Sequence, residues 1–374
     1  MDRHPSPFST QNQHDKVMIN ESAIKNAVEQ IQAGESAQKR IAEKMRAEKG
    51  EIAFRESLEK KLINEIPDIE VNGKVAAVDG GLLAEELHSI DIVLVRAAAV
   101  IFEYENSKLK KHHYHPSSFP DYEVYTPSAL DAHEAIWFRN IARLEKEISC
   151  AIEAIEKYAP KALFLDGSIV PQVSDKPAKE SEIYPHYENL VEKYKKLFSI
   201  SEKSNCLLVG IIKDSRGKQF LNLAQRHLGL GVADDMVLKK TNDSAFLFNL
   251  LNEKERTFAF KYASITEHPI LRDLHEYADR ISSFYLKAVK YDRPLRIDFL
   301  LPEGDGKRIE ETASLIYSLS KHNSQYAYPA ILIEADLRAA MDPKELEIVY
   351  GRIFSSLGRQ SSIFKLRRNT RPFR

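Results

Sequence analysis

Two short runs in this chain are apolar at every position: Ala162–Leu165, followed by Asp166, Gly167 and Ser168, and Cys206–Ile212, followed by Lys213, Asp214, Ser215, Arg216 and Gly217. A strand with one face in water alternates apolar and polar residues, whereas a run without a polar position needs cover on both faces, as helices on either side of a sheet provide. The chain is therefore expected to be α/β.

The neighbouring segments fill in that expectation. Lys74–Asp79 and Ile90–Phe102 are β-branched runs separated by a short turn-like stretch and predict the first hairpin of a sheet. A helix is predicted from Ala129 to Tyr158, with Trp137, Ile141, Leu144, Ile148, Ile152 and Ile155 at helical spacing and Pro160 closing it. Leu295–Leu301 reads as a strand, and Glu310–Ser320 and Asp336–Ser356 as helices. The order implies a mixed sheet flanked by helices. Residues 1–15 are polar, carry Pro5 and Pro7, and are expected to be disordered; residues 16–66 contain almost no helix breakers and predict a helical lead-in. The organisation expected is a tail and helical arm over 1–66, a main domain over 67–355 with an insertion at about 172–205, and a basic tail over 356–374 that includes Phe364 and Phe373.

Bulk properties bound the function classes. At 374 residues and 43% hydrophobic content the chain can bury one large core or two modest ones, and the length favours a main domain with additions. Its 54 basic and 55 acidic residues nearly cancel, so any nucleic-acid surface is local. Cys150 and Cys206 alone make neither a disulfide framework nor a cysteine zinc site, which suits a reducing compartment. The first 30 residues lack an apolar signal core, and no apolar run approaches the roughly 18 residues of a membrane span. A soluble, cytoplasmic protein is expected.

Asp79 and Asp166 each follow an apolar strand and precede glycine, so each carboxylate is expected at the C-terminal end of a strand, where open sheets place ligand sites. Taken alone, either Asp-Gly is an ordinary turn. The helix before Asp166 runs antiparallel to its strand, which climbs about 13 Å at about 3.3 Å per residue. Descending that height at about 1.5 Å per residue takes roughly nine residues and reaches the level of Glu145 to Ser149. Glu145 and Glu147 both lie there, one at each edge of the apolar stripe, and helix geometry does not choose between them. Clustered carboxylates repel each other and attract hard divalent cations such as manganese or magnesium. Two such ions suit phosphodiester cleavage of the ribonuclease H type.

At this point the chain resembles the NurA nucleases, which share a ribonuclease H-like core. The matching residues run in family order: Ala77–Gly81, Arg139 with Leu144 and Glu145, Leu163–Ile169, Lys213–Gly217, Asn242–Leu251, Arg296–Asp298 and Tyr328–Asp336. The resemblance implies that Asp79, Glu145 and Asp166 are metal ligands and selects Glu145 over Glu147, because Arg139 also fits. It implies a last ligand at the start of a C-terminal helix, which falls on Asp336, where many members of the family carry histidine. Asp298 is a further acidic candidate, although a strand aspartate capped by local hydrogen bonds is the plainer account. Lys213 is expected to hold a phosphate or the charge of the transition state, against a simple ion pair, and Arg216 and Gly217 to touch the DNA backbone. Also implied are a homodimer and a hexameric HerA-type ATPase as partner in DNA end resection, with the N-terminal arm as one contact.

Rival readings are weaker. His112, His113 and His115 fall within four positions, without a cysteine ladder, and read as a solvated loop. No Gly-x-Ser-x-Gly or Walker-type phosphate loop occurs. An actin-like ATPase or kinase shares the core, but the residues after Asp79 supply no hydroxyl or cation for phosphates. A DNA-binding or translocase-adaptor protein of the same fold, catalytically weak, is the non-enzymatic alternative.

Overall fold

The structure, a computed structural model, describes residues 20–48, 52, 56–128, 130–227, 231–266, 268–302 and 306–358. Along the chain come α1 (Glu21–Ala47), β1 (Ile63–Glu65), β2 (Gly73–Glu86), β3 (Asp91–Glu105), β4 (Lys108–His115) and β5 (Glu123–Tyr125). Next are α2 (Ala132–Tyr158), β6 (Ala162–Asp166), α3 (Tyr184–Lys203), β7 (Leu207–Ile212), α4 (Gln219–His227), α5 (Val232–Lys239) and α6 (Asp243–Leu250). The chain continues through β8 (Glu255–Thr257), β9 (Phe260–Lys261), α7 (Pro269–Asp273), β10 (Ile281–Lys287), β11 (Leu295–Leu300), α8 (Lys307–Ser320), α9 (Ala330–Ala339) and α10 (Pro343–Leu357).

The strands form one mixed sheet in the order β1-β8-β10-β11-β7-β6-β2-β3-β4, with β5 beside β3 and β9 beside β10. Its middle is parallel: β2 pairs with β6, and β6 with β7. These are the strands whose sequences are apolar throughout, and both faces are covered. Ala76, Val78, Leu163, Leu165 and Leu208 pack under α2 and α3. The alternate residues Val75, Ala77, Ala162, Phe164, Val209 and Ile211 pack under α8 and α9. Asp131 caps α2 through a capping box with Glu134, and Ala159 ends it in the left-handed conformation just before Pro160. A third core joins α1 to α4–α6 through Ile41, Met45, Phe220, Phe246 and Phe258.

The α/β class with a mixed, helix-flanked sheet is as expected from the sequence, and several details differ. The helical lead-in stops at Ala47, and Ile63–Glu65 is a strand because β8 pairs with it. β2 does not end at Asp79; it continues with β3 as far as the Glu86↔Asp91 pair. The histidine-rich segment is the edge strand β4, paired to β3 from Lys108 to His115. The stretch at 172–205 holds α3, which carries the chain from β6 to its parallel neighbour β7. The helix expected from Asp336 to Ser356 is two helices broken at Ala340–Asp342, with Pro343 opening the second. The expected tails at 1–15 and 359–374 lie outside the described residues. No helix among the described residues is long and apolar enough to cross a membrane.

Candidate metal centre

Asp79 and Asp166 occupy equivalent positions on adjacent parallel strands. The β2–β6 register runs from Val75↔Ala162 to Val78↔Leu165, and the next residue on each strand is the aspartate. Strand alternation puts both on the face that carries Ala77 and Phe164, toward α9. Beyond this level β6 ends while β2 continues with β3, so the two carboxylates stand where the sheet divides.

Gly80 and Gly81 let helices approach β2 from both sides here. A Cβ on Gly80 would lie 3.1 Å from Glu147 Oε2 and 3.3 Å from Arg143 Cγ, both on α2. A Cβ on Gly81 would lie 2.2 Å from the Ala339 carbonyl oxygen at the end of α9. Glu147 is buried, at 3% exposure, and accepts a 2.9 Å bond from Arg143 Nη1, so the α2 carboxylate beside Asp79 is Glu147. Glu145 points the other way, to α3, where Asn189 donates to it and Lys193 Nζ lies 3.6 Å from Oε1. Two residues span about 200° of helix, so Glu147 is turned to Gly80 and Glu145, the ligand implied by the family resemblance, to α3.

Around Asp166, Lys213 Nζ donates to Oδ2 and the Tyr328 hydroxyl to Oδ1, each at 2.9 Å. Lys213 also lies 4.3 Å above the Tyr328 ring. Asp336 is exposed in the second turn of α9, not at a helix start, and its charge acts on both Asp79 and Lys213. Asp298 is buried and fully engaged, accepting from Ser168 Oγ at 2.7 Å, Ser283 Oγ at 2.6 Å and Arg296 Nε at 2.8 Å. Arg216 is exposed on the β7–α4 loop, and Gly217 packs against Arg296. Arg139 ties α2 to the hairpin through Glu86 and Asp91. Of the three histidines, His115 Nε2 meets Glu153 at 2.8 Å, while His112 and His113 are exposed on β4. Tyr328 and Arg143 carried no role in the sequence reading. The i,i+4 spacing of Arg143 and Glu147 was the available signal for the buried pair, and nothing local marked Tyr328.

The electrostatics record the crowding. Burial, then the charge of Asp166 with a contribution from Asp336, pushes the Asp79 carboxyl up to about 7, against the 2.7 Å bond from Gly80 N and the charge of Arg143. Burial pushes Glu147 up to about 8; Arg143 opposes this, and Asp79 and Asp166 add to it. Burial works to lower the Lys213 ammonium, but the bond and charge of Asp166 outweigh it and raise it. An all-carboxylate set that resists ionising suits a hard divalent cation, whose charge would offset the repulsion. Among the described residues no group of three or more His, Cys, Asp or Glu side chains is gathered closely enough to hold a metal ion. Arg143 holds Glu147, Lys213 and Tyr328 hold Asp166, and the carboxylates sense each other through Coulomb interactions that reach farther than ligation.

A mixed sheet covered by helices on both faces, with two aspartates where its parallel strands part, defines an α/β protein with an acidic centre at its strand ends. Residues 73–341 match the family model of the NurA domain, and the chain belongs to the NurA nuclease family. The NurA nuclease from Sulfolobus solfataricus is similar in structure, with a TM-score of 0.59 at 16% identity over 91% of this chain and 99% of that one. A NurA structure with manganese matches with a TM-score of 0.50 at 11% identity, over 89% of this chain and 98% of that one. No curated protein sequence matches the chain.

Proposed function

We propose that this chain is a manganese- or magnesium-dependent nuclease that hydrolyses phosphodiester bonds of DNA, with Asp79, Asp166 and Glu147 as metal ligands and Asp336 as a further one. The observation that carries the reading is the pairing of Asp79 and Asp166 at equivalent positions on adjacent parallel strands, in a member of the NurA family, with burial and the charge of Asp166 pushing Asp79 up to about 7. The manganese in a similar NurA structure supports the choice of ion. Bound there, divalent cations supply charge stabilisation and a water of lowered pKa, and a pair of them suits in-line cleavage. Asp79, which feels the charge of both Asp166 and Asp336, would hold a cation beside Asp166, and the cation's charge would offset that repulsion. Tyr328 and Lys213 orient Asp166, and Lys213 brings a cation to the phosphate.

Glu145 is not carried forward as a ligand, because its carboxylate is engaged by α3. A cytoplasmic homodimer acting with a hexameric HerA-type ATPase in DNA end resection belongs to the same reading. In support, α1 exposes Ile24, Val28 and Ile31 along one stripe of the arm. The test incubates end-labelled single- and double-stranded DNA with the protein in manganese, magnesium or EDTA. Metal-dependent degradation that disappears in Asp79→Ala and Asp166→Ala is expected. DNA binding without cleavage under any metal points to the adaptor alternative, and ATP turnover without cleavage to the kinase-like one.

A further inference from the structure

Asp298 lies on β11 directly across from Gly210 on β7, in the Asp298↔Gly210 pair. Gly210 has no side chain, and the turn that follows Asp166 sits over it: a Cβ at Gly210 would fall 2.3 Å from the Gly167 carbonyl oxygen and 2.7 Å from Ile169 N. The turn thus drops onto β7 beside the Asp298 carboxylate. Two bonds fasten it there and a third closes it internally. Gly167 N donates to Ile211 O at 3.1 Å, Ser168 Oγ donates to Asp298 Oδ2 at 2.7 Å, and Ser168 Oγ accepts from Val170 N at 3.1 Å. Gly167 has φ +123°, a backbone that a residue with a Cβ rarely adopts, so the turn depends on its anchors.

Asp298 is itself fixed. It is 1% exposed, and Ser283 Oγ and Arg296 Nε both donate to Oδ1, leaving Oδ2 for Ser168. Arg296 is held over the Tyr262 ring at 4.9 Å and against Gly217. Arg296 Nη2 also reaches Ser283 Oγ at 3.5 Å, and among the described residues no hydrogen bond joins Asp298, Ser283 or Arg296 to Asp79, Glu147 or Asp336. A hydrogen-bonded link from Asp298 to the turn after β6 runs through Ser168, two residues from Asp166.

We propose that Asp298 is a positioning residue for the metal centre: through Ser168 it fixes the turn after β6 and so aims the Asp166 carboxylate at the position shared with Asp79. The inference rests on the reading of Asp166 as a ligand given above. Groups that orient a metal ligand, without touching the ion, characteristically govern affinity by about ten- to a hundredfold.

Manganese binding, followed by the paramagnetic resonance of the free ion, is compared in the full chain and in Asp166→Asn, Ser168→Ala and Asp298→Asn, alongside melting temperature and the manganese concentration giving half-maximal cleavage. The expected result is that Ser168→Ala and Asp298→Asn weaken manganese binding by about tenfold or more and raise the half-saturating concentration equally. Cleavage should recover in Ser168→Ala at high manganese, with KM for DNA and melting temperature near those of the parent. Wild-type manganese affinity in folded Ser168→Ala overturns the inference, and so does an Asp298→Asn protein that melts lower but binds manganese as the parent does. Should Asp298→Asn fail to fold, Ser168→Ala decides. If the parent binds no manganese, or Asp166→Asn binds as the parent does, the reading of the site fails and the inference falls with it; normal parent binding, lost only in Asp166→Asn, overturns the inference alone.

Discussion

Glu147 Oε2 stands 3.1 Å from the point that a Cβ on Gly80 would occupy. A glycine on the strand thus admits a helix carboxylate to the level of Asp79, and the next glycine admits α9 from the opposite face.

The two glycines are expected to fail differently. Alanine at position 80 meets Glu147 Oε2 at 3.1 Å, Arg143 Cγ at 3.3 Å and Glu147 Cβ at 3.4 Å, contacts that a shift of a few tenths of an ångström relieves. Alanine at position 81 meets the Ala339 carbonyl at 2.2 Å, which can move only with the backbone of α9. Gly81→Ala should destabilise by about 1–3 kcal/mol or more, the usual cost of overpacking. Gly80→Ala should fold with little loss and cleave DNA more slowly because Glu147 is displaced. Thermal denaturation and initial rates of both variants check this; equal destabilisation would contradict it.

Glu147→Ala should abolish cleavage, and Glu145→Ala should leave it within about threefold of the parent, since surface ion pairs contribute about 0–1 kcal/mol and Glu145 is turned to Asn189 and Lys193 of α3. Steady-state rates in saturating manganese decide between the two. Loss of activity in Glu145→Ala with full activity in Glu147→Ala would restore the choice implied by the family resemblance.

Stability should fall with rising pH when metal is chelated. In the folded chain burial and neighbouring carboxylates lift Asp79 from 3.8 to about 7, and burial lifts Glu147 from 4.5 to about 8. The folded state therefore holds these protons more tightly than the unfolded one. The stabilisation is fully present below about pH 4 and is lost as pH climbs through about 7 to 8. The melting temperature in EDTA should drop between about pH 5 and pH 8, and Asp79→Asn should flatten that slope while folding normally. Manganese should raise the melting temperature more at about pH 8 than at about pH 6. A level or rising melting temperature in EDTA over this interval contradicts the crowding.

Lys213→Ala removes the cation 2.9 Å from Asp166 without removing a carboxylate. Cleavage should slow by about a hundredfold or more, the scale of losing one group that stabilises transition-state charge, while manganese affinity holds or increases. Titration calorimetry with manganese beside single-turnover rates separates the effects; weaker manganese binding would make Lys213 a support for Asp166 alone.

Much of this centre was legible in the residue order. The apolar runs Ala162–Leu165 and Cys206–Ile212 required a sheet covered on both faces, and the helical phase of Ile141, Ile148 and Ile152 required an amphipathic α2. With Asp79 and Asp166 each following such a run, two carboxylates had to meet near one level of the sheet. These are local consequences of period and burial, which neighbouring residues carry themselves.

Which way each α2 glutamate turns was not local. Glu145 and Glu147 flank the apolar stripe of α2 almost symmetrically, so its periodicity favours neither. The symmetry is broken by what each edge packs against, α3 with Asn189 and Lys193 on one side and the bare backbone of Gly80 on the other. Tyr328, Asp298 and the break between α9 and α10 were settled in the same way, by strands and helices far apart in the chain. Sequence by itself determined the sheet, its covering helices and the two strand aspartates, because alternation and apolar runs act within a segment. Tertiary structure alone decided which way each α2 glutamate turns and which groups hold Asp166, because a side chain's partner depends on which distant backbone leaves room for it.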